Sequence, residues 1–453
     1  MNEGRALASP EHTPPRRRGR DRRPRLLLAD DAGRIYDHPS LLLAGQSWDR
    51  TLPPAGRRDT MPLPAGTELA YLPGRRPVGL DPDSGQQVCV ERFAVDGHEF
   101  QPLAVAALPP PGHLRHLLPA ARIDPAAPAL PLRSYCAIGI VGDGLRLAAS
   151  RIDPRTHWDP ERFATAALEA GLAAMRQRFP HNRVLRQLVH CARDYGCCTA
   201  SNVFLGAFEG ALPVAPRCNA RCLGCISAQA GPAPSPQQRL AAPPPVADIV
   251  ELGAHHLARA RSPMVSFGQG CEGEPLTQAE SIAAAIRGIR RRTDRGAVHM
   301  NTNGSRPEML DALADAGLGS VRVSLVSARP DLFAAYHRAA FDLETVERFI
   351  TRAVERGLFV ALNLLLVPGL TDRPAEIDAL VALLGRSGAH MVQLRNLDLD
   401  PQRLFAALAP AAGEPVGMRA LVRQLRRRVP GLELGSFNRL PGDRGPGFDR
   451  PQS

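Results

Sequence analysis

Apolar positions change their spacing twice along this chain. Between residues 40 and 135 they come in short stretches broken by Pro and Gly, as in Tyr71-Leu72-Pro73-Gly74 and Pro109-Pro110-Pro111-Gly112. That texture predicts short strands joined by loops. The segments 135–140 and 145–150 flank Gly142-Asp143-Gly144 and read as a hairpin. Asp159-Pro160 opens a helical pattern running to residue 179, and Leu185, Leu188 and Val189 continue in a second helix. From about residue 211 the texture changes again. Apolar strands near 211–215, 264–268, 297–302, 320–326, 359–367 and 390–395 alternate with amphipathic helices. Ile282, Ala285, Ile286 and Ile289 fall on one helical face, as do Leu343, Val346, Phe349, Ile350, Ala353 and Val354, with Gly357 placed to end that helix. Six strands alternating with helices predict a parallel sheet with right-handed crossovers. Gly268, Gly304 and Gly369 follow strands, where such sheets carry their chemistry in loops.

The domain plan follows from these shifts: an Arg/Pro-rich disordered tail at 1–24, an α+β accessory domain at 25–210, the strand–helix region at 211–405, and a C-terminal helix with a basic tail at 406–453. Residues 231–245 hold six prolines and read as a loop. The whole is 44% hydrophobic and 22% charged, which excludes a wholly disordered or collagen-like chain. No run of about 18 apolar residues occurs, so no membrane-crossing helix is expected, and the reading is cytoplasmic.

Charge adds little. The net charge is +11, carried by arginine alone, since the chain has no lysine. Residues 1–25 and 419–450 each hold eight arginines against three acids. Basic ends suit a polyanion such as nucleic acid, but solvated tails are the plainer reading, and aromatics at 5% are poor material for stacking bases.

The nine cysteines matter more. Cys218, Cys222 and Cys225 form a Cys-x3-Cys-x2-Cys run in Cys218-Asn219-Ala220-Arg221-Cys222-Leu223-Gly224-Cys225, on the loop after the first strand of the alternating region. Three thiolates on one short loop match three irons of a cubane cluster and leave the fourth iron open, as a catalytic centre requires. Arg217 and Arg221 flank them with positive charge. A zinc site would want a fourth soft ligand nearby, and the next cysteine is Cys271.

With this motif opening a strand–helix run, the sequence resembles the radical SAM superfamily over roughly residues 211–400. The resemblance implies an α/β fold, a partial (β/α)6 TIM-like barrel behind the N-terminal α+β accessory domain. It implies an enzyme with two cofactors, a [4Fe-4S] cluster on Cys218, Cys222 and Cys225 and S-adenosylmethionine. Reductive cleavage to a 5′-deoxyadenosyl radical would then act on an unidentified substrate, with a flavodoxin- or ferredoxin-type electron donor as partner. Gly273-Glu274-Pro275 matches the end of the family's Gly-Gly-Glu-Pro turn, with Glu272 in place of the first Gly. Asn301-Thr302-Asn303-Gly304 resembles its Thr-Asn-Gly. Carried over by position, Gly273, Glu274, Asn303, Ser324, Arg338 and Asn363 are the cofactor-binding candidates. The family's common aromatic before the third cysteine is here Gly224, so Ile226 or Val367 would have to build that side of the adenine seat.

Other signals have plainer readings. Cys271 sits inside the cofactor turn and suits a small residue in tight backbone, although a ligand or substrate-side thiol is the sharper alternative. Cys191, Cys197 and Cys198 read as structural thiols rather than a second cluster. His255 and His256, adjacent on a helix, face different sides. Gln393, Arg395 and Asn396 end the sixth strand, where a guanidinium is equally suited to an acidic substrate and to a salt bridge; Asp398 and Asp400 follow on a loop. Two rival classes stay open: an iron–sulfur binding or electron-transfer protein of the same fold without SAM cleavage, and a zinc-binding interaction protein.

Overall fold

The computed structural model describes residues 23–48, 50–52, 59–163, 165–229 and 231–440. Most of the expected N-terminal tail and the last part of the basic C-terminal segment lie outside the described residues. Seven strands form a parallel sheet in sequence order: β1 (Ala207–Ala211), β2 (Arg261–Phe267), β3 (Ala297–Thr302), β4 (Ser320–Leu325), β5 (Phe359–Leu366), β6 (Met391–Asn396) and β7 (Glu433–Gly435). Helices Val246–Arg259, Ala279–Arg290, Leu310–Ala316, Leu343–Glu355, Pro374–Ser387 and Met418–Arg428 lie in the crossovers. Strand side chains alternate between faces. One face (Val298, Val321, Val323, Leu362, Val392) joins the helices in a single apolar core with Ile282, Ile286, Val346 and Phe349. The other face is the barrel interior, and it is largely polar, with His299, Asn301, Arg322, Ser324, Asn363, Gln393 and Arg395 beside Ala361, Leu365 and Met391.

This is a curled partial barrel, with two adjustments to the sequence reading. The strand expected at 211–215 lies at Ala207–Ala211, because Pro213 has no N–H to give to a ladder. The sheet also gains β7, a three-residue strand too short to leave a periodic signal. Beyond it, residues 436–440 are buried as a strap across the barrel, where Asn438 donates to Glu209 of β1 (2.9 Å) and accepts from Gln393 of β6 (2.8 Å).

The N-terminal half is a ten-stranded sheet whose pairs are antiparallel, packed around Leu27, Val105, Ile138 and Leu147. The expected hairpin forms between Cys136–Val141 and Gly144–Leu147, with Val141 opposite Gly144. The helix expected from residue 159 begins later, at Ala166, after a short 3-10 turn, because the Thr165 hydroxyl caps it by accepting from Leu168 N.

The N-terminal half, including two smaller sheets beside this one, seats directly on the loops after β5 and β6. The Arg115 guanidinium donates to the carbonyls of Leu397 (2.8 Å), Leu366 (3.4 Å) and Tyr135 (3.4 Å). Arg75 pairs with Asp400 at 3.1 Å, both fully buried. Trp48 packs its ring 4.5 Å from that of Phe405. Among the described residues, no helix is long and apolar enough to cross a membrane.

Candidate iron–sulfur and cofactor site

The cysteine loop is held from two sides. On one, the backbone of the helix end at 336–337 bonds it: Arg221 N donates to His337 O (3.0 Å) and Leu223 N to Tyr336 O (3.1 Å). On the other, the Gly-Glu-Pro turn docks just before the first cysteine, with Gly273 N donating to Ala215 O (2.6 Å) and Glu274 N to Arg217 O (2.9 Å). The approach requires glycine at 273, since a Cβ there would lie 2.0 Å from Arg217 O.

Cys218, Cys222 and Cys225 are all half-buried. Burial pushes the Cys222 thiol up to about 12 and raises Cys218 as well. Burial also opposes ionisation of Cys225. Hydrogen bonds from Ser227 and Arg239 outweigh it, and this thiol lies below its ordinary range. Arg239 Nη2 is 3.6 Å from Cys225 Sγ, and His337 Nδ1 is 3.5 Å from Cys222 Sγ. Among the described residues, no three His, Cys, Asp or Glu side chains converge as they would on a single ion. A cubane needs no such convergence, because each thiolate takes a different iron. The donor set therefore fits a cluster: three soft ligands on one loop, with an arginine beside them.

Glu274 is buried and ties the turn to the end of β3, accepting from Leu276 N (3.0 Å), Asn303 N (2.8 Å) and the Thr302 hydroxyl. Burial pushes its carboxyl up to about 7. Asn303 in turn donates to Asn219 Oδ1 at 2.8 Å, inside the cysteine loop. Ser324 and Asn363 are register partners on β4 and β5, and both are half-buried on the inner face. Asn363 Oδ1 is out of reach of solvent and has no donor, an acceptor that a bound adenosyl group would satisfy. The structure thus brings Gly273, Glu274 and Asn303 together with the cysteines, and sets Ser324 and Asn363 along the adjoining inner wall. Arg338 does not join them; it is exposed, ending its helix in a left-handed conformation at φ 49°.

The two departures from the family pattern have local causes. A Cβ at Gly224 would lie 2.8 Å from both Tyr336 Oη and Leu397 Cδ1, so the space beside the third cysteine is taken by Tyr336. Glu272 accepts four backbone N–H bonds, from Val214 (2.8 Å), Ala215 (2.9 Å), Gly268 (2.6 Å) and Gln269 (2.6 Å). It clamps the chain leaving β1 to the chain leaving β2, while burial pushes its carboxyl up to about 7. Ile226 and Val367 both lie in the apolar cluster around Tyr336. Sequence reasoning missed Arg239, His337 and Tyr336. The first sits in an uninformative loop, and the other two sit beside Arg338, the residue that the family pattern favoured.

The remaining candidates fall elsewhere. Cys191 and Cys271 are buried beside each other, Cys191 Sγ accepts from Gln187 Nε2 (3.4 Å), and Cys197 N donates to Cys191 O (3.0 Å). His256 bonds Phe208 O at 2.7 Å, whereas His255 meets Arg259. Asn396 bridges to the N-terminal strand His113–Arg115 through His113 O (2.9 Å) and Arg115 N (3.0 Å). Asp398 accepts from Ser134.

The family model described as Radical SAM superfamily matches residues 212–381. Among curated proteins, similar chains are the GTP 3',8-cyclases of Listeria monocytogenes serotype 4b and Listeria welshimeri, each 30% identical over 167 residues. That stretch is 36% of this chain and 46% of theirs, so the match spans about half the length of those relatives. Among solved structures, the radical S-adenosylmethionine methyltransferase TsrM from Kitasatospora setae is 19% identical with a TM-score of 0.33, over 42% of this chain and 36% of its own. A radical SAM methyltransferase from Sphaerobacter thermophilus is 20% identical with a TM-score of 0.36, over 50% and 65%. Likeness at that level adds nothing to the family match.

Proposed function

Through residues 212–381 the chain belongs to the radical SAM superfamily, an enzyme superfamily that uses a [4Fe-4S] cluster and S-adenosylmethionine, and on that premise we propose that it cleaves S-adenosylmethionine itself. Cys218, Cys222 and Cys225 hold the cluster. Gly273, Glu274, Asn303, Ser324 and Asn363 form the seat beside it. When bound, the cluster and S-adenosylmethionine supply a 5′-deoxyadenosyl radical for hydrogen abstraction from substrate. The chain's own residues do the positioning. Arg239 offsets thiolate charge at Cys225, the Glu274 carboxylate fixes the turn against Asn303, and Tyr336 closes the space beside Gly224. The observation that carries the reading is the docking of the Gly-Glu-Pro turn on residues 215–217, which brings the second motif against the first cysteine. A low-potential donor of flavodoxin or ferredoxin type is the expected electron source.

Anaerobic protein reconstituted with iron and sulfide, then given S-adenosylmethionine and dithionite, is expected to release 5′-deoxyadenosine, read by mass spectrometry. Cys222→Ala is expected to lose both the cluster absorbance and the product. Product from a cluster-free Cys222→Ala protein sinks the assignment. A fully loaded cluster that gives no product, with or without cell extract as a source of substrate, favours the electron-transfer reading instead.

A further inference from the structure

The solvent-touched positions of β4, β5 and β6 are Arg322, Ser324, Asn363, Leu365, Arg395 and Asn396. All but the terminal Asn396 lie on the inner face, whose outer counterpart is sealed by helices. The barrel interior therefore keeps some contact with solvent. Arg322 stands in it two strand residues below Ser324, about 7 Å deeper. Its guanidinium offers five N–H donors in a planar fork. One of them reaches Gln393 Oε1 at 3.2 Å, and Nε is shielded from solvent with no partner. Among the described residues, neither Arg322 nor Arg395 has a carboxylate within ion-pair distance. Arg395 donates only to the Ser436 carbonyl (2.8 Å) and hydroxyl (3.5 Å). Glu209 is the one acid near both, and it is bound to Asn438.

Structural arginines of this protein look different. Arg115 shares the shielded, partnerless Nε but gives its two terminal nitrogens to three carbonyls, and Arg75 bonds Asp400, Pro73 O and Pro128 O. A half-buried guanidinium with no counter-ion keeps donors free for a ligand that brings one. We propose that Arg322, flanked by Gln393 and Arg395, binds an oxyanion of the substrate, a carboxylate or a phosphate, inside the barrel below the cofactor seat. Its assignment as a substrate group rests on the radical SAM reading; the anion site itself does not.

The test is thermal melting of the full, anaerobically reconstituted chain without S-adenosylmethionine. The probes are acetate, succinate, phosphate and pyrophosphate, against chloride at equal ionic strength. One class of oxyanion is expected to raise Tm by about 3 °C at a hundred times its Kd. A response to acetate and succinate assigns a carboxylate, and a response to phosphate and pyrophosphate a phosphate. Arg322→Met is expected to lose the response while melting no lower than the parent, because it removes an unpaired charge. Arg322→Lys keeps the charge without the fork and is expected to weaken binding at least tenfold. The proposal is overturned if no oxyanion exceeds chloride, or if the response survives in Arg322→Met and so belongs to surface arginines. It is equally overturned if Arg322→Met fails to fold or melts several degrees lower, which would make Arg322 structural. None of these outcomes depends on 5′-deoxyadenosine formation, so failure here and failure of SAM cleavage are read separately.

Discussion

At the scale of single residues, the site is shaped as much by what each position excludes as by what it offers. Gly273→Ala places a methyl 2.0 Å from Arg217 O, against backbone that also carries the first cysteine. We expect a loss of about 3 kcal/mol or more in chemical denaturation and no cluster uptake by absorbance, since neither backbone can yield without moving the turn. Glu272 gives a pH prediction. Its folded pKa of about 7 lies above the ordinary 4.5, so across that window the folded chain keeps a proton that the unfolded chain has released. Stability from this group is present below pH 4.5 and is lost as pH rises through 7. Tm measured from pH 5 to 8 should fall with pH in the parent. Glu272→Gln should lower Tm throughout, because one acceptor oxygen is lost and two backbone N–H groups go unpaired, and should flatten that slope. An unchanged slope would remove Glu272 as its source.

At the scale of elements, the strap at 436–440 is anchored chiefly by Asp153, with Glu209 holding Asn438. Asp153 is fully buried and accepts from Ser436 N (2.9 Å), Phe437 N (3.3 Å) and Arg439 (3.4 Å), besides Arg155 (3.1 Å). Burial works against its ionisation, but the donors prevail and hold it below the usual carboxylate range. Asp153→Ala leaves Arg439 buried with only Glu433 as counter-ion, and we expect a loss of about 3–5 kcal/mol. The strap should then open to limited proteolysis before the barrel does. Cleavage no faster than in the parent would show that Asn438, bonded to Glu209 and Gln393, holds the strap alone.

At the scale of the molecule, the N-terminal half covers one side of the strand ends where the site lies. Arg115 and Arg75 reach the loops after β5 and β6, and Trp48 N donates to Pro368 O (3.0 Å). Arg75→Ala leaves Asp400 buried with its carboxylate held only by Leu130 N (2.9 Å) and Gln402 N (3.0 Å). A loss of about 3 kcal/mol is expected, with the two halves then unfolding in separate steps in urea. A single, merely shifted transition would mean that the apolar contact around Trp48 and Phe405 suffices to couple them.

Much of this was legible in the sequence. The period of the apolar residues gave five of the seven strands of the parallel sheet nearly in place, because each must bury one face under a helix. The cysteine spacing and the Gly-Glu-Pro turn marked the site, because backbone approach and soft-ligand geometry allow few residue types. Tertiary structure alone decided the rest. Tyr336 fills the space beside Gly224, Glu272 clamps two strand ends, and Arg322 faces the barrel interior with Gln393 as a partner but no ion pair. The strap from β7 and the seat of the N-terminal half were equally hidden. Such contacts join residues far apart in the chain, and no local pattern records which distant group will supply a donor, a counter-charge or a filled volume.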